Sequence, residues 1–176
     1  VAGQGDFADI SGQSGMKRAA EIAVAGRHNL LMVGPPGSGK SMIAKRIPTI
    51  FPALTREESL RITKVYSVAG MIKSEQPLVM ERPFREVNQT VTKAALLGGG
   101  AWPKPGELTL ASGGVLFLDE LAEFKRSVLE VLRQPLEERE VRIVRNHGVI
   151  IYPADVMLVA AMNPCPCGYF PDLNKC

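Results

Sequence analysis

Short apolar runs alternate with segments of helical spacing along the chain. Three runs stand out, at residues 29–33, 115–118 and 156–161, and glycine, acidic or amide residues follow them closely. Continuous apolar runs of this length are typical of strands buried on both faces, as in a parallel sheet. The pattern therefore predicts three core strands.

Helical spacing fills the stretches between these runs. We predict helices over residues 16–25, 39–47, 55–68, 90–97 and 124–133. Thr55, with Glu58 three residues later, forms a capping box, and the second helix is expected to end before Pro48. The segment 71–87 is ambiguous, with 78–80 a candidate strand.

A hairpin is the last element that the pattern predicts. The strand-like segments 141–144 and 149–152 flank residues 145–148, Arg-Asn-His-Gly, which is typical of a β-hairpin. Strands that alternate with helices predict an α/β fold with a mainly parallel central sheet, into which this hairpin is inserted.

The loop between the first strand and its helix carries the most specific motif. The sequence G-x-x-x-x-G-K-[ST] is matched in full by Gly34, Pro35, Pro36, Gly37, Ser38, Gly39, Lys40 and Ser41. Glycines let backbone amides turn around an anion. The motif predicts a nucleotide site in which Lys40 neutralises the β- and γ-phosphates and Ser41 binds Mg²⁺. The alternative is an ordinary Gly/Pro turn before a helix.

Polar residues follow the other two core strands. Asp119 and Glu120 come directly after the run 115–118, and Asn163 follows the run 156–161. Ligands bind at the carboxyl ends of parallel strands, so Asp119 is expected to face the Mg²⁺ and Glu120 to orient the attacking water. Asn163 would reach the γ-phosphate or its water. The alternatives are a solvated acidic pair at a helix start and a turn asparagine.

Composition limits the class and the compartment. Hydrophobic residues make up 45% and charged residues 22%, which excludes disordered, collagenous and coiled-coil proteins. The net charge of +3 is too small to indicate nucleic-acid binding alone. The longest apolar run, 156–162, is too short for a membrane span, so no membrane partner is expected.

Three cysteines, all near the end, favour the reducing cytoplasm. Because the chain begins at Val1, we expect an excised piece of a longer protein.

The order of these motifs resembles the magnesium-chelatase-like AAA+ ATPases of the ComM/YifB type. The matching segments are 6–10, 12–13, 28–41, 81–85, 98–100, 105–107, 115–121, 123–125, 132–137 and 159–169. The resemblance covers nearly the whole chain, and its last segment, which ends Asn-Pro-Cys-Pro-Cys-Gly-Tyr, is highly specific.

The resemblance implies a P-loop NTPase fold with three layers and a role for each motif. Lys40 and Ser41 belong to Walker A, Asp119 and Glu120 to Walker B, and Asn163 is sensor 1. The ATP site would extend to Met42, with Ile10 and Gly12 beside the adenine.

The resemblance also implies an assembly and a substrate. Such proteins form hexameric rings, in which ComM-type relatives are linked to branch migration of DNA and true chelatase subunits to metal insertion into protoporphyrin. Residues 1–176 would be the AAA+ base domain, with the arginine finger and helical lid beyond Cys176. We therefore expect the fragment alone to be a monomer with weak or no ATPase activity, which would leave a nucleotide-binding module without turnover as an alternative.

Three features stay open at the level of sequence. The family usually reads Ser-Pro-His-His where this chain has residues 86–89, Glu-Val-Asn-Gln. Hairpin residues Arg142, Arg145 and His147 suit a DNA backbone, although a solvated charged hairpin is as good an interpretation, and no aromatic residue lies at the tip. Cys165, Cys167 and Cys176 are candidate zinc ligands in the full-length protein, whereas free cysteines are favoured for this chain.

Overall fold

Four parallel strands form the central sheet in a computed structural model that describes residues 7–9, 12–72, 74–146, 148–165, 167 and 172–174. Their order across the sheet is β1 (Leu30–Val33), β8 (Met157–Met162), β5 (Val115–Leu118) and β2 (Phe84–Val87). Val33 is in register with Met162, and Leu118 with Ala160. The predicted α/β class with a mainly parallel sheet is confirmed.

Helices cover both faces of this sheet. They are α1 (Ser14–Gly26), α2 (Lys40–Arg46), α3 (Arg56–Val68), α4 (Lys93–Leu97), α5 (Glu107–Leu110), α6 (Arg126–Glu130) and α7 (Arg133–Glu138). Short 3₁₀ turns add Phe7–Asp9, Ile47–Ile50 and Leu121–Glu123. The predicted cap of α3 is confirmed, because the Thr55 hydroxyl accepts a hydrogen bond of 3.1 Å from the Glu58 backbone N–H.

Alternate side chains of β5 enter two separate apolar cores. Val115 and Phe117 pack with buried residues of α1 and α2, whereas Leu116 and Leu118 pack with residues of α4, α5 and α6. All four of these side chains are at most 1% exposed. Since successive strand residues point to opposite faces, a four-residue apolar run can be buried only between two layers. The central strand thus fixes a three-layer arrangement.

Strand β1 lies at an edge of the sheet, and the prediction that it is buried on both faces is wrong. Met32 is 4% exposed and packs against the first core, but Leu31 and Val33 are 52% and 53% exposed. Within the described part of the chain, β1 pairs with β8 alone. An apolar run shows that a strand exists, but it does not show how many layers cover it.

The strand expected at 78–80 is also wrong, because the fourth strand is β2 at Phe84–Val87. Two charged residues occupy its centre, which obscured the pattern. Arg85 is neutralised by a bidentate pair with Glu107, at 2.6 and 2.8 Å. Glu107, which lies well beyond the strand in the sequence, therefore stabilises a charged residue within it. The local hydrophobic pattern does not predict such a pair.

Proline explains two differences in helix bounds. Helix α2 ends at Arg46, and Pro48 lies inside the 3₁₀ turn that follows, where its missing N–H is tolerated. The helix expected over 124–133 is two helices, α6 and α7. Pro135 lies in the first turn of α7, which requires the chain to start a new helix there.

Two antiparallel ribbons extend from the core. The predicted hairpin is confirmed as β6 (Glu140–Arg145) and β7 (Gly148–Pro153), paired from Glu140 with Pro153 to Arg145 with Gly148. A smaller ribbon, β3 (Gly98–Gly99) and β4 (Lys104–Pro105), lies between α4 and α5. The sequence did not predict the smaller ribbon or the one-turn helix α5.

Among the described residues, no helix has both the length and the apolar character that crossing a bilayer requires.

Candidate functional site

Three loops meet at the carboxyl edge of the sheet. They follow β1, β5 and β8, which are neighbours in the order β1-β8-β5. The backbone N–H of Gly34 donates to the Met162 carbonyl at 3.2 Å, which joins the first loop to the residue before Asn163. The parallel register therefore brings residues 34–41, Asp119 and Asn163 to one edge.

Lys40 is the most connected side chain of this edge. Its ammonium group donates to the Gly34 and Pro35 carbonyls at 2.6 and 2.9 Å, and to the Ser38 hydroxyl at 3.2 Å. The residue is 8% exposed. A buried ammonium needs such oxygen partners, since an unpaired buried charge is strongly unfavourable. The loop thus holds one positive charge at a fixed point of its inner surface.

Asn163 reaches the same ammonium from the neighbouring strand. Its Oδ1 lies 3.4 Å from Lys40 Nζ, and the residue is half-buried. With the amide oxygen turned toward Lys40, the amide Nδ2 remains as a hydrogen-bond donor at this edge.

Glycine is required where the loop turns into α2. Gly37 and Gly39 have φ angles of 75° and 83°, in the left-handed region that residues with a Cβ rarely adopt. A Cβ added at either position would meet nothing within 4 Å. The side of the loop where those Cβ atoms would stand is therefore open, and a ligand can approach the backbone there.

Ser41 and Asp119 place two side-chain oxygen atoms next to each other. The Ser41 hydroxyl donates to Asp119 Oδ2 at 3.2 Å, and the Asp119 carboxylate is half-buried. Hydroxyl and carboxylate oxygens are the ligands that Mg²⁺ uses, usually one or two from the protein beside phosphate and water. The residues present therefore fit a Mg²⁺ site.

Glu120 has an unusual backbone conformation next to that pair. Its φ and ψ angles are 53° and 50°, and its N–H donates to Asp119 Oδ1 at 2.9 Å. A side chain in the left-handed region costs about 1–2 kcal/mol, and such strain concentrates at functional sites. Glu120 is exposed at this strained turn.

The other residues predicted to contact the nucleotide have fewer described contacts with the loop than Lys40 has. Pro36 is exposed in the loop, and Met42 is 49% exposed on α2. Gly12 begins the turn into α1, and none of the described hydrogen bonds joins it to residues 34–41. Ile10 lies outside the described residues.

The candidate zinc ligands are only partly described. Cys165 is half-buried and Cys167 is exposed, whereas Cys176 lies outside the described residues. Among the residues that are described, no group of three His, Cys, Asp or Glu side chains could hold a metal ion. Zinc binding stays a prediction.

The two described arginines of the hairpin lie on opposite faces. Arg142 is tied to Glu140, with Nη2 and Oε1 2.6 Å apart, whereas Arg145 lies at the end of β6 and donates to the neighbouring Val144 carbonyl. Alternate residues of a strand face opposite ways, so one face presents a neutralised arginine and the other presents Arg145. His147 lies outside the described residues.

Two ion pairs that the sequence did not suggest support the site. Glu86 lies 3.5 Å from Lys45 on α2, the helix that begins at Lys40. Arg85 and Glu107 join β2 to α5, and the hydrogen bonds that Arg85 donates to the Glu107 carboxylate raise the pKa of Arg85. Arg85 and Glu107 are separated along the chain by β3 and β4, so the spacing of neighbouring residues does not predict that they pair.

Comparisons with known proteins identify the family of the chain. The family model described as magnesium chelatase, subunit ChlI, matches residues 6–176. Among relatives, the protein YifB of Escherichia coli is 46% identical over 174 residues, 98% of this chain and 34% of its own length. The competence protein ComM of Haemophilus influenzae is 48% identical over 167 residues, 94% of this chain and 32% of its own length. The chain thus spans about a third of these relatives.

A solved structure shows the same fold. The complex of subunits BchI and BchD of magnesium chelatase matches with a TM-score of 0.71 at 21% identity, over 96% of this chain and 58% of that one. Because the family model covers nearly all of the chain, the chain belongs to the family described as magnesium chelatase, subunit ChlI.

Proposed function

We propose that this chain binds ATP with Mg²⁺, hydrolyses it and, in a complete ring, uses the energy to remodel DNA. The observation that carries the proposal is the 3.2 Å contact between Ser41 and Asp119. It joins the phosphate-loop motif to the acidic strand end, and nucleotide hydrolysis needs both at one point.

The loop would bind the phosphates through charge and backbone amides. The Lys40 ammonium would donate to the β- and γ-phosphate oxygens in exchange for its present carbonyl partners at 2.6 and 2.9 Å. The open backbone at Gly37 and Gly39 lets amide N–H groups approach the phosphates without a Cβ between them.

Ser41 and Asp119 would hold the Mg²⁺, which when bound supplies charge neutralisation for the phosphates. Glu120 would orient the attacking water and accept its proton, because it is the next carboxylate along the chain and is exposed. The Asn163 amide, with its oxygen toward Lys40, would donate from Nδ2 to the γ-phosphate or to that water.

Two other functions compete with DNA remodelling. Similarity to BchI of magnesium chelatase supports an ATPase that drives metal chelation. The second alternative is nucleotide binding without turnover. The chain is 48% identical to ComM and 21% identical to the BchI–BchD structure, which favours DNA remodelling over metal chelation. The hairpin residue Arg145 also favours DNA. We also propose a homo-hexameric ring in the cytoplasm for the full-length protein. The BchI–BchD complex supports an assembly of several subunits. Three cysteines, an odd number that does not make a disulfide framework, support the reducing cytoplasm.

The substrate is tested by stimulation of ATPase activity. A longer form of the protein that includes the expected lid is assayed alone, with forked DNA, with four-way DNA, and with protoporphyrin plus Mg²⁺. DNA remodelling predicts a rise in turnover with forked or four-way DNA, which Lys40→Ala abolishes. A rise with protoporphyrin and Mg²⁺ alone would support chelation, and turnover that no DNA changes would count against the DNA proposal.

A further inference from the structure

Trp102 is the most exposed large apolar side chain that the structure describes. It is 87% exposed and is the single tryptophan of the sequence. It lies in the turn that connects β3 and β4, and we name residues 98–105 the Trp102 turn. An indole left in water by a folded chain requires an explanation, because tryptophan is normally highly buried. None of its own neighbours in the turn covers it.

The Trp102 turn packs along the β6–β7 hairpin. The Tyr152 hydroxyl donates to the Pro103 carbonyl at 2.7 Å, near the base of the hairpin. Near its tip, a Cβ added at Gly99 would stand 3.0 Å from Arg145 Nη2. Gly99 also has a φ angle of 145°, which disfavours any other residue. The turn and the hairpin therefore form one surface that carries both Trp102 and Arg145.

This surface is built from two segments that contain no acidic residue. Residues 87–106 include Lys93 and Lys104, and residues 141–154 include Arg142 and Arg145, with no Asp or Glu in either segment. The acids that flank these segments are already paired: Glu86 with Lys45, Glu107 with Arg85, Glu140 with Arg142 and Asp155 with Arg27. Lys104 and Arg145 are exposed. The free charge of the surface is therefore positive.

We propose that the Trp102 turn and Arg145 form a binding subsite for single-stranded nucleic acid. Trp102 stacks on an unpaired base, and Arg145 with Lys104 binds the adjoining phosphates. An aromatic platform beside basic side chains is the arrangement that binds single strands without reading their sequence. A duplex offers no free base face to an indole, so it would engage the cations alone.

The subsite rests on the DNA half of the proposed function and not on ATP hydrolysis. It also supplies the aromatic residue that the hairpin tip lacks, from a turn some 40 residues earlier in the chain. The surroundings contain no acidic residue, which favours a polyanion as the ligand. An apolar protein partner would offer no negative charge to Lys104 and Arg145.

The test uses the intrinsic fluorescence of Trp102 without nucleotide. The protein is titrated with 15-nucleotide oligothymidylate and with duplex of the same length, and the affinity is measured separately by anisotropy of the labelled strand. We expect saturable quenching by the single strand only. Trp102→Ala should weaken single-strand binding about 5- to 100-fold, Trp102→Phe should retain most of it, and Arg145→Ala should reduce both binding and its salt dependence.

Matched variants separate the subsite from general effects. Leu60→Ala removes another exposed apolar side chain and Arg126→Ala another exposed arginine, and both should bind the strand normally. Wild-type binding without quenching, or unchanged affinity in Trp102→Ala, would overturn the subsite. The absence of any strand binding would overturn it too. ATP binding and its loss in Lys40→Ala are measured on the same samples, so the ATP half of the proposed function can stand or fall independently.

Discussion

Ser41 donates a hydrogen bond to Asp119 at 3.2 Å, although 78 residues separate the two. The contact exists because β1, β8 and β5 are parallel neighbours, so the loops that follow β1 and β5 open at the same edge. Two oxygen atoms held by two distant segments would make a cation site that exists only in the folded sheet.

The first prediction concerns this pair. Asp119→Asn and Ser41→Ala should each weaken ATP binding in the presence of Mg²⁺ by about tenfold, since each removes one oxygen ligand. Each should also reduce the difference between the ATP affinity measured with Mg²⁺ and the ATP affinity measured with EDTA. Calorimetric titration of ATP with and without Mg²⁺ measures this. Ser67→Ala, an exposed serine of α3, is the control and should behave as the wild type. An unchanged Mg²⁺ dependence in both variants would refute the assignment.

Glu120 gives the second prediction. Glu120→Gln keeps the side-chain shape and removes the base, so turnover in a longer form of the protein should fall by about 100-fold or more while ATP affinity is retained. Steady-state phosphate release measures turnover. Glu123→Gln, at a neighbouring exposed glutamate, should leave turnover within about twofold of the wild type, as expected for a surface position. Turnover that survives Glu120→Gln would show that another group positions the water.

The sequence predicts the central layers of the fold well, and the structure explains why. The run at 115–118 predicts a strand because burial between two cores requires apolar residues at every position. The same physics places the phosphate-loop motif and Asp119 at strand ends, so their convergence follows once the sheet is parallel.

Elements at the periphery depend on contacts that local pattern does not encode. Strand β2 contains Arg85, whose charge is neutralised by Glu107 from a later helix. Leu31 and Val33 are apolar but exposed, because an edge strand is covered on fewer sides. Trp102 lies beside the hairpin only through packing between two distant segments. Each of these features is settled by tertiary neighbours and not by spacing.

The Arg85–Glu107 pair gives the third prediction. Both side chains are about three-quarters buried, at 27% and 23% exposure, and the pair is bidentate. Glu107→Ala should therefore lower the free energy of unfolding by about 1–3 kcal/mol, measured by urea denaturation. The exposed pair Arg126–Glu130 is the control, and Glu130→Ala should change stability by about 0.5 kcal/mol or less. Equal effects of the two variants would contradict the structural role of Arg85–Glu107.

Tyr66 gives the fourth prediction, which concerns alkaline pH. Burial is the main cause that raises the pKa of Tyr66, and its hydroxyl donates to the Leu110 carbonyl at 2.9 Å. The pKa of Tyr66 is higher in the folded protein than in the unfolded one. The contribution of Tyr66 to the free energy of unfolding is therefore complete below the unfolded pKa, and it is lost as pH rises through the folded pKa. Tyr66→Phe should be less stable than the wild type by about 1 kcal/mol at pH 7. The difference should shrink as pH rises above the unfolded pKa.

Urea denaturation of both proteins across that range tests the sign of the effect. Comparison with Tyr66→Phe removes the contribution of the lysines, which titrate in both proteins over the same pH range. A stability difference that stays constant or grows with pH would contradict a raised pKa.

The most direct test of the account is the affinity of Lys40→Ala for ATP. Lys40 holds the positive charge of the loop, with the Gly34 and Pro35 carbonyls and Asn163 around it. Calorimetric titration should give measurable ATP binding for the wild type and for the control Lys64→Ala, an exposed lysine of α3. Lys40→Ala should bind at least about tenfold more weakly, since a charge-assisted contact to phosphate is lost. ATP affinity that is unchanged in a folded Lys40→Ala protein would contradict the phosphate-loop assignment, on which the rest of the proposed function depends.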